Sequence, residues 1–132
     1  MRIMIDTNIF ISSILFPDST PSKLVEKVLD EYQLVLCSQI IEELHEVFER
    51  KFKHKISCLE DFLSQLSYEL VYTPQRIDKK EYPDIKDQKD LPILVSSILG
   101  DVDYLITGDK GFFDVEIERP VIMTAREFLK KH

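Results

Sequence analysis

Four acidic residues have the spacing and the chemistry of a metal site: Asp6, Glu43, Asp90 and Asp109. Carboxylates held together repel each other by about 3–4 kcal/mol per pair at about 4–6 Å, with an effective dielectric near 20, so a cluster of four needs compensation. A hard divalent cation such as Mg²⁺ supplies it, and this ion also accepts phosphate oxygens. The predicted chemistry is phosphoryl transfer, in which a metal activates water and neutralises the leaving oxygen.

These acids would be positioned by strands, and five short apolar runs predict strands. The runs Leu34–Leu36 and Tyr104–Ile106 are apolar without alternation, which is typical of strands buried on both faces. The predicted strands are Arg2–Asp6, Leu34–Cys37, Leu70–Thr73, Tyr104–Thr107 and Val121–Met123. Helical segments separate them, which favours an α/β fold: a three-layer α/β/α sandwich around a mainly parallel sheet of about five strands. The length, residues 1-132, fits a single domain.

Capping residues predict where the intervening helices begin. Thr20 is expected to cap a helix that has Pro21 at its first position, and Ser38 to cap the next one. Two capping boxes, Ser57–Glu60 and Thr124–Glu127, predict two more helix starts. The proline-containing and highly charged segment Pro74–Lys89 is expected to be a loop.

The sheet topology turns the spacing of the acids into a spatial prediction. In a parallel sheet, strand ends and the helices that follow them share the carboxyl edge, so four junctions each deliver one carboxylate there. On its helix, Glu43 flanks the apolar stripe whereas Glu42 points away from it. No such geometry separates Asp90 from Asp87, and Asp90 is preferred because it abuts the apolar helix.

Each acid also has an ordinary structural explanation when it is considered alone. Asp6 and Asp90 suit helix starts, Asp109 suits a turn between two glycines, and Glu43 suits a solvated helix face. The placement of all four at one edge favours a functional site over four coincidences.

Charge and composition exclude several classes of protein. With 17 basic and 24 acidic residues, the net charge of −7 argues against binding nucleic acid through a general basic surface. No apolar run is long enough to span a membrane and no signal peptide is apparent, so a cytoplasmic protein is expected. Two cysteines make neither a disulfide scaffold nor a zinc site, and Cys37 and Cys58 are expected to be buried, inert thiols.

Taken together, four motifs resemble the PIN-domain family. They are Asp6-Thr7-Asn8, Ile41-Glu42-Glu43-Leu44, Asp87-Gln88-Lys89-Asp90 and Thr107-Gly108-Asp109. The resemblance runs from Arg2 to about Phe128 and is greatest to compact prokaryotic members, many of which are the toxin of a toxin–antitoxin pair.

The resemblance implies a function and roles for particular residues. It implies a Mg²⁺- or Mn²⁺-dependent endoribonuclease with an RNA substrate, a homodimeric assembly and a cognate antitoxin partner. The acids of its metal and catalytic site match Asp6, Glu43, Asp90 and Asp109, and the small polar residues that order the site match Asn8 and Thr107. The side chains that could guide RNA are Arg50, Lys51, Lys53 and Lys110.

The chain departs from the family pattern after the fourth acid. Many family toxins have a further acid followed by Phe where this chain has Phe112 and Phe113. Asp114, like Asp87, is a possible additional acid. An alternative is therefore a catalytically weak or inactive PIN-like module that binds RNA or protein. A domain phosphorylated on aspartate is disfavoured, because Asn8 stands where such a phosphatase has its second Asp.

Overall fold

Five strands and six helices make up the computed structural model, which describes residues 1–132. The strands are β1 (Arg2–Ile5), β2 (Gln33–Cys37), β3 (Glu69–Val71), β4 (Tyr104–Ile106) and β5 (Val121–Met123). The helices are α1 (Thr7–Leu15), α2 (Thr20–Glu31), α3 (Ser38–Lys51), α4 (Ile56–Gln65), α5 (Leu91–Leu99) and α6 (Ala125–Lys131). None of the helices combines the length and the apolar character needed to cross a bilayer.

The strands form one parallel sheet in the order β3-β2-β1-β4-β5. β1 lies at the centre, where Met4 is opposite both Val35 of β2 and Leu105 of β4. The predicted α/β fold with a parallel five-stranded sheet is confirmed. Because all strands run the same way, the residues that follow β1, β2 and β4 meet at one edge.

The central strands are buried on both faces, as their unbroken apolar runs predict. Ile3, Met4 and Ile5 on β1 are fully buried, and so are Val35 and Leu36 on β2. They belong to a core of 27 buried apolar residues to which helices on both sides of the sheet contribute. Burying each such side chain stabilises the fold by about 1.5–3 kcal/mol, so the core fixes the position of the edge that follows it.

Two of the predicted capping residues, Ser38 and Ser57, do not cap their helices. Ser38 does not cap α3: its hydroxyl accepts a hydrogen bond at 2.9 Å from the backbone N–H of Thr73, because the end of β3 lies beside the start of this helix. Ser57 does not begin a capping box, since a 3₁₀ turn at Lys53–Lys55 leads directly into α4 at Ile56. Ser57 is therefore already inside the helix.

Other boundaries agree with the sequence to within a residue or two. Thr124 and Glu127 make both bonds of the predicted capping box, at 3.1 and 3.2 Å. The cap of α2 is Ser19 rather than Thr20, whose predicted role shifts by one position. The predicted loop Pro74–Lys89 contains no strand or α-helix.

The two cysteines differ in environment. Cys37 at the end of β2 is fully buried, and burial raises the pKa of its thiol. Cys58 is exposed on α4, so the prediction that both thiols are buried is wrong for this residue. Cys58 borders a groove between α1, α2 and α4, where solvent reaches it.

Candidate active site

Asp6 lies at the centre of the carboxyl edge, where β1 passes into α1. Its side chain is only 5% exposed. One carboxylate oxygen accepts the backbone N–H of Thr7 at 2.7 Å, and the other accepts the hydroxyl of Thr107 at 2.7 Å. Burial raises the pKa of Asp6, these two bonds lower it, and the nearby charges of Glu43 and Asp109 raise it. Asp6 is thus an N-cap and also a buried carboxylate facing other acids.

Thr107 connects two of the acids. It follows β4, and the pairing of Ile106 with Ile5 brings it alongside Asp6. Its buried hydroxyl donates to Asp6 and accepts the backbone N–H of Asp109 at 3.0 Å. Asp109 also accepts the N–H of Gly111 at 2.9 Å, which closes a tight turn. The turn predicted for Asp109 is present and directs its carboxylate toward the same edge.

Both oxygens of the Glu43 carboxylate are held by donors. One accepts the hydroxyl of Thr7 at 2.8 Å, and the other accepts the side-chain amide of Gln39 at 3.0 Å. Glu42 is exposed, as the helix geometry predicts. Thr7 directly follows Asp6, so Glu43 is anchored beside the central acid.

Asp90 immediately precedes α5, and one of its carboxylate oxygens is an unsatisfied hydrogen-bond acceptor. Its Oδ2 is buried and makes no hydrogen bond. A Cβ placed on Gly111 would lie 3.6 Å from this atom and 3.3 Å from Oδ1 of Asp109, so the two carboxylates lie against the same glycine. The pKa of Asp90 is raised to about 7, first by burial and then by the neighbouring carboxylates of Asp109, Asp6 and Asp87.

The donor set suits a hard divalent cation. Its ligands would be carboxylate oxygens, which Mg²⁺ and Mn²⁺ prefer. The buried, unpartnered oxygen of Asp90 and the mutual repulsion that raises the carboxylate pKa values are both costs that a cation would relieve. As the side chains stand, no three His, Cys, Asp or Glu residues are close enough together to hold a metal ion. The site therefore fits a cation in chemistry, with side-chain adjustment needed to close around it.

The two additional acids are more exposed than these four. Asp87 is exposed, and its carboxylate accepts the N–H of Lys89 at 3.0 Å as the cap of a 3₁₀ turn. Asp114 is exposed and lines a groove with two other acids, Asp84 and Glu116.

Phe112 and Phe113, the two positions at which the chain departs from the family pattern, have opposite environments. Phe112 is fully buried in the core, whereas Phe113 is 40% exposed. An acid at position 112 would enter the core in this backbone conformation.

The predicted RNA-contacting cations are not gathered together. Arg50 and Lys51 are in the last turn of α3, and Lys53 follows it. Because α3 starts at the carboxyl edge and rises by about 1.5 Å per residue, Arg50 lies about 10 Å further along the helix than Glu43. Lys110, beside Asp109, is exposed at the carboxyl edge itself.

Sequence reasoning missed two residues that contact the candidate acids, Thr7 and Gln39. The spacing of Gln39 and Glu43, four positions apart on one helix, is a signal for such a pair. Thr7 lies inside the first motif but carries no charge. Asn8, predicted to order the site, is exposed and lines a neighbouring groove.

The fold is that of an α/β protein with a parallel sheet, and its acidic residues gather at the carboxyl edge beside the central strand β1. A family model described as PIN domain matches residues 2–111, and the chain belongs to this family. Among solved structures, the chain is similar to one in the crystal structure of VapBC2 from Rickettsia felis bound to a DNA fragment from its promoter. The alignment has a TM-score of 0.68 and 21% identity, and it covers 93% of this chain and 97% of the other, which establishes the shared fold. No curated protein sequence matches the chain.

Proposed function

We propose that this protein is a metal-dependent endoribonuclease that hydrolyses phosphodiester bonds of RNA at the carboxyl edge of β1. One observation carries the proposal: two threonines link the acids. Thr7 donates its backbone N–H to Asp6 and its hydroxyl to Glu43, and the Thr107 hydroxyl joins Asp6 to the backbone N–H of Asp109. The unpartnered oxygen of Asp90 lies beside Asp109. Membership of the PIN-domain family supports it.

Asp6, Glu43, Asp90 and Asp109 would hold Mg²⁺ or Mn²⁺. When bound, the cation supplies activation of water and neutralisation of charge on phosphate oxygens. The protein itself orients the ligands. Thr107 fixes Asp6 relative to Asp109, and Thr7 with Gln39 keeps both oxygens of Glu43 from rotating freely.

Hydrolysis at this site would leave a 5′-phosphate and a 3′-hydroxyl. The 2′-hydroxyl takes no part in such chemistry, so single-stranded DNA is the appropriate comparison substrate.

The test is cleavage of unstructured RNA by the pure protein with Mn²⁺. We expect activity to be abolished by EDTA and by Asp6→Asn, and to be strongly reduced by Glu43→Gln. Glu42→Gln is the matched control, because Glu42 is the exposed neighbour on the same helix and its loss should leave cleavage unchanged. Cleavage that survives EDTA or Asp6→Asn would contradict the proposal.

We further propose that the protein is the toxin of a toxin–antitoxin pair in the cytoplasm. The similarity to a chain of the VapBC2 complex supports a protein partner. Expression of the chain alone should arrest growth, and co-expression of a small protein encoded beside it should restore growth. Gel filtration of the pure protein tests the homodimer. Arrest that persists in Asp6→Asn would contradict a toxin acting through this site.

The second candidate is a PIN-domain protein that binds RNA or protein without cutting. The side chains as placed do not bring three acids to metal-binding separation, and Phe112 fills the place of a further acid. Melting with millimolar Mn²⁺ separates the two functions. A working site gains stability, by about 2.7 kcal/mol when the metal is at 100 times its Kd, whereas a vestigial site gains none.

A further inference from the structure

A groove of about 320 Å³ lies next to the candidate active site, and we call it the Arg126 groove. It is bordered by α1, by the start of α2 and by the start of α6. Two of its residues adjoin the site: Asn8 is two positions after Asp6, and Gly108 lies between Thr107 and Asp109. The groove thus begins at residues that neighbour Asp6 and Asp109 in the chain.

The Arg126 groove differs from the other surface grooves in its charge. Arg126 contributes a cation, and no carboxylate lines the groove. Each of the other four grooves includes at least one acid, such as Glu118, Glu26 or Glu42. In a chain with a net charge of −7, this groove is the one that favours an anion.

Two of its polar side chains, Arg126 and Asn8, are free to bind a ligand, whereas the Thr124 hydroxyl is held in the capping box. The ion pairs of the protein involve Arg2, Lys27 and Arg119 but not Arg126. Arg126 and Asn8 are both exposed. A Cβ on Gly108 would meet no atom within 4 Å, so the backbone there is open to an approaching molecule. A planar guanidinium with uncommitted donors matches a phosphate group in a bidentate manner.

We propose that the Arg126 groove binds the phosphate of the nucleotide adjacent to the one that is cleaved. This inference rests on the proposed function, because it takes RNA as the ligand. The guanidinium of Arg126 binds the phosphate, and the side chains of Asn8 and Ser12 supply further donors. The volume is at the lower end of the range for ligand clefts, about 300–1,000 Å³, so the groove holds one nucleotide rather than a longer strand.

The experiment measures binding of a fluorescein-labelled, short single-stranded RNA by fluorescence anisotropy, in EDTA so that no cleavage occurs. We expect Arg126→Ala to weaken binding about tenfold, the effect of losing a charge-assisted pair. The slope of log affinity against log salt should fall by about 0.7, as one phosphate contact is lost from a single strand. Lys130→Ala is the matched control, since Lys130 is an exposed cation at the other end of the same helix. It should leave both quantities unchanged.

A steric variant gives a second measurement. Ser12→Phe, on the partly exposed wall of the groove, should weaken RNA binding and lower the salt slope as Arg126→Ala does, because it keeps the phosphate away from Arg126. Equal weakening by Arg126→Ala and Lys130→Ala, an unchanged slope, or no RNA binding by the natural protein would each overturn the inference. If RNA binds through Arg126 but is never cut, the nuclease proposal fails and the groove stands only as a site for an RNA phosphate. If RNA is cut and Arg126→Ala binds it normally, the groove alone fails.

Discussion

The hydroxyl of Thr107 lies 2.7 Å from a carboxylate oxygen of Asp6, although 101 positions separate the two residues in the chain. The hydroxyl oxygen of Thr107 also accepts the backbone N–H of Asp109. A single hydroxyl thereby sets the separation of the acids that follow β1 and β4. This contact makes Thr107 the residue that would position the acids of the proposed metal site.

Thr107→Val should remove this link at almost constant side-chain volume. We expect a loss of about 1–3 kcal/mol in the free energy of unfolding, because buried polar groups lose their partner. Metal affinity or activity should fall by about 10–100-fold, the usual effect of losing a residue that orders ligands. Urea unfolding and Mn²⁺ titration measure the two quantities. Thr107→Ser keeps the hydroxyl and should restore most of both, and a Val variant indistinguishable from it would contradict the assigned role.

Gln39→Leu should release one oxygen of Glu43, and Thr7→Val the other. Each variant is expected to weaken Mn²⁺ binding by about tenfold, and the double variant by more. Mn²⁺ titration followed by calorimetry is the measurement, with Thr7→Ser as the control that retains the donor. Wild-type affinity in the double variant would show that Glu43 needs no positioning.

The stability of the metal-free protein should fall as the pH rises. The pKa of Asp90 is raised to about 7 in the folded protein from an ordinary 3.8, so between these values the folded state holds a proton that the unfolded chain has lost. The unfolded state binds fewer protons, and stability therefore decreases with increasing pH through this window. The raised pKa of Asp6 acts in the same direction.

Melting temperatures from about pH 5 to about pH 8 test this expectation. Carboxylates with lowered pKa values, such as Asp103, are already ionised over that range and contribute little slope. Asp90→Asn should flatten the profile, and Mn²⁺ should stabilise the protein more at the alkaline end. A metal-free protein that becomes more stable on going from pH 5 to pH 8 would contradict the environment assigned to Asp90.

Phe112→Asp should destabilise the protein rather than create a further metal ligand. Phe112 is fully buried, and truncating such a side chain costs about 3–5 kcal/mol, to which an unpaired buried charge adds. Thermal melting measures the loss. Phe113→Asp is the control, because that side chain is already 40% exposed and should tolerate the change. A Phe112→Asp variant that melts like the natural protein and binds more metal would show that the backbone can turn this position outward.

One of the two thiols should react with a thiol reagent in the native protein. Cys58 is exposed, whereas Cys37 is buried with a raised pKa. Colorimetric titration should count one fast thiol before denaturation and two after it. Cys58→Ser should abolish the fast phase, and a fast phase that survives this change would mean that Cys37 becomes accessible in the folded state.

The elements that could be predicted from the sequence are those in which the local pattern of apolar and polar residues reveals which side chains are buried. The buried strands were identifiable because Leu34–Leu36 and Tyr104–Ile106 are apolar without alternation. The position of Asp6, Glu43, Asp90 and Asp109 at one edge followed from parallel topology alone. The choice of Glu43 over Glu42 needed only helix geometry.

What could not be predicted depends on approaches between distant segments. Ser38 has a good capping side chain, but the arrival of Thr73 gives its hydroxyl another partner. Thr7 gains a role only because α3 brings Glu43 within 2.8 Å of it. Likewise, Oδ2 of Asp90 is buried only because other segments pack around it in the folded protein. Local spacing contains none of this information.

The sheet order β3-β2-β1-β4-β5 also governs when the acidic site can exist during folding. β1 is made first, yet one of its two neighbours is β4, and parallel strands of such large sequence separation pair slowly. A growing chain on the ribosome holds Asp6 and Glu43 long before Thr107 and Asp109 have been synthesised. The site is therefore assembled late, and a chain released before β4 would lack two of the residues that form it.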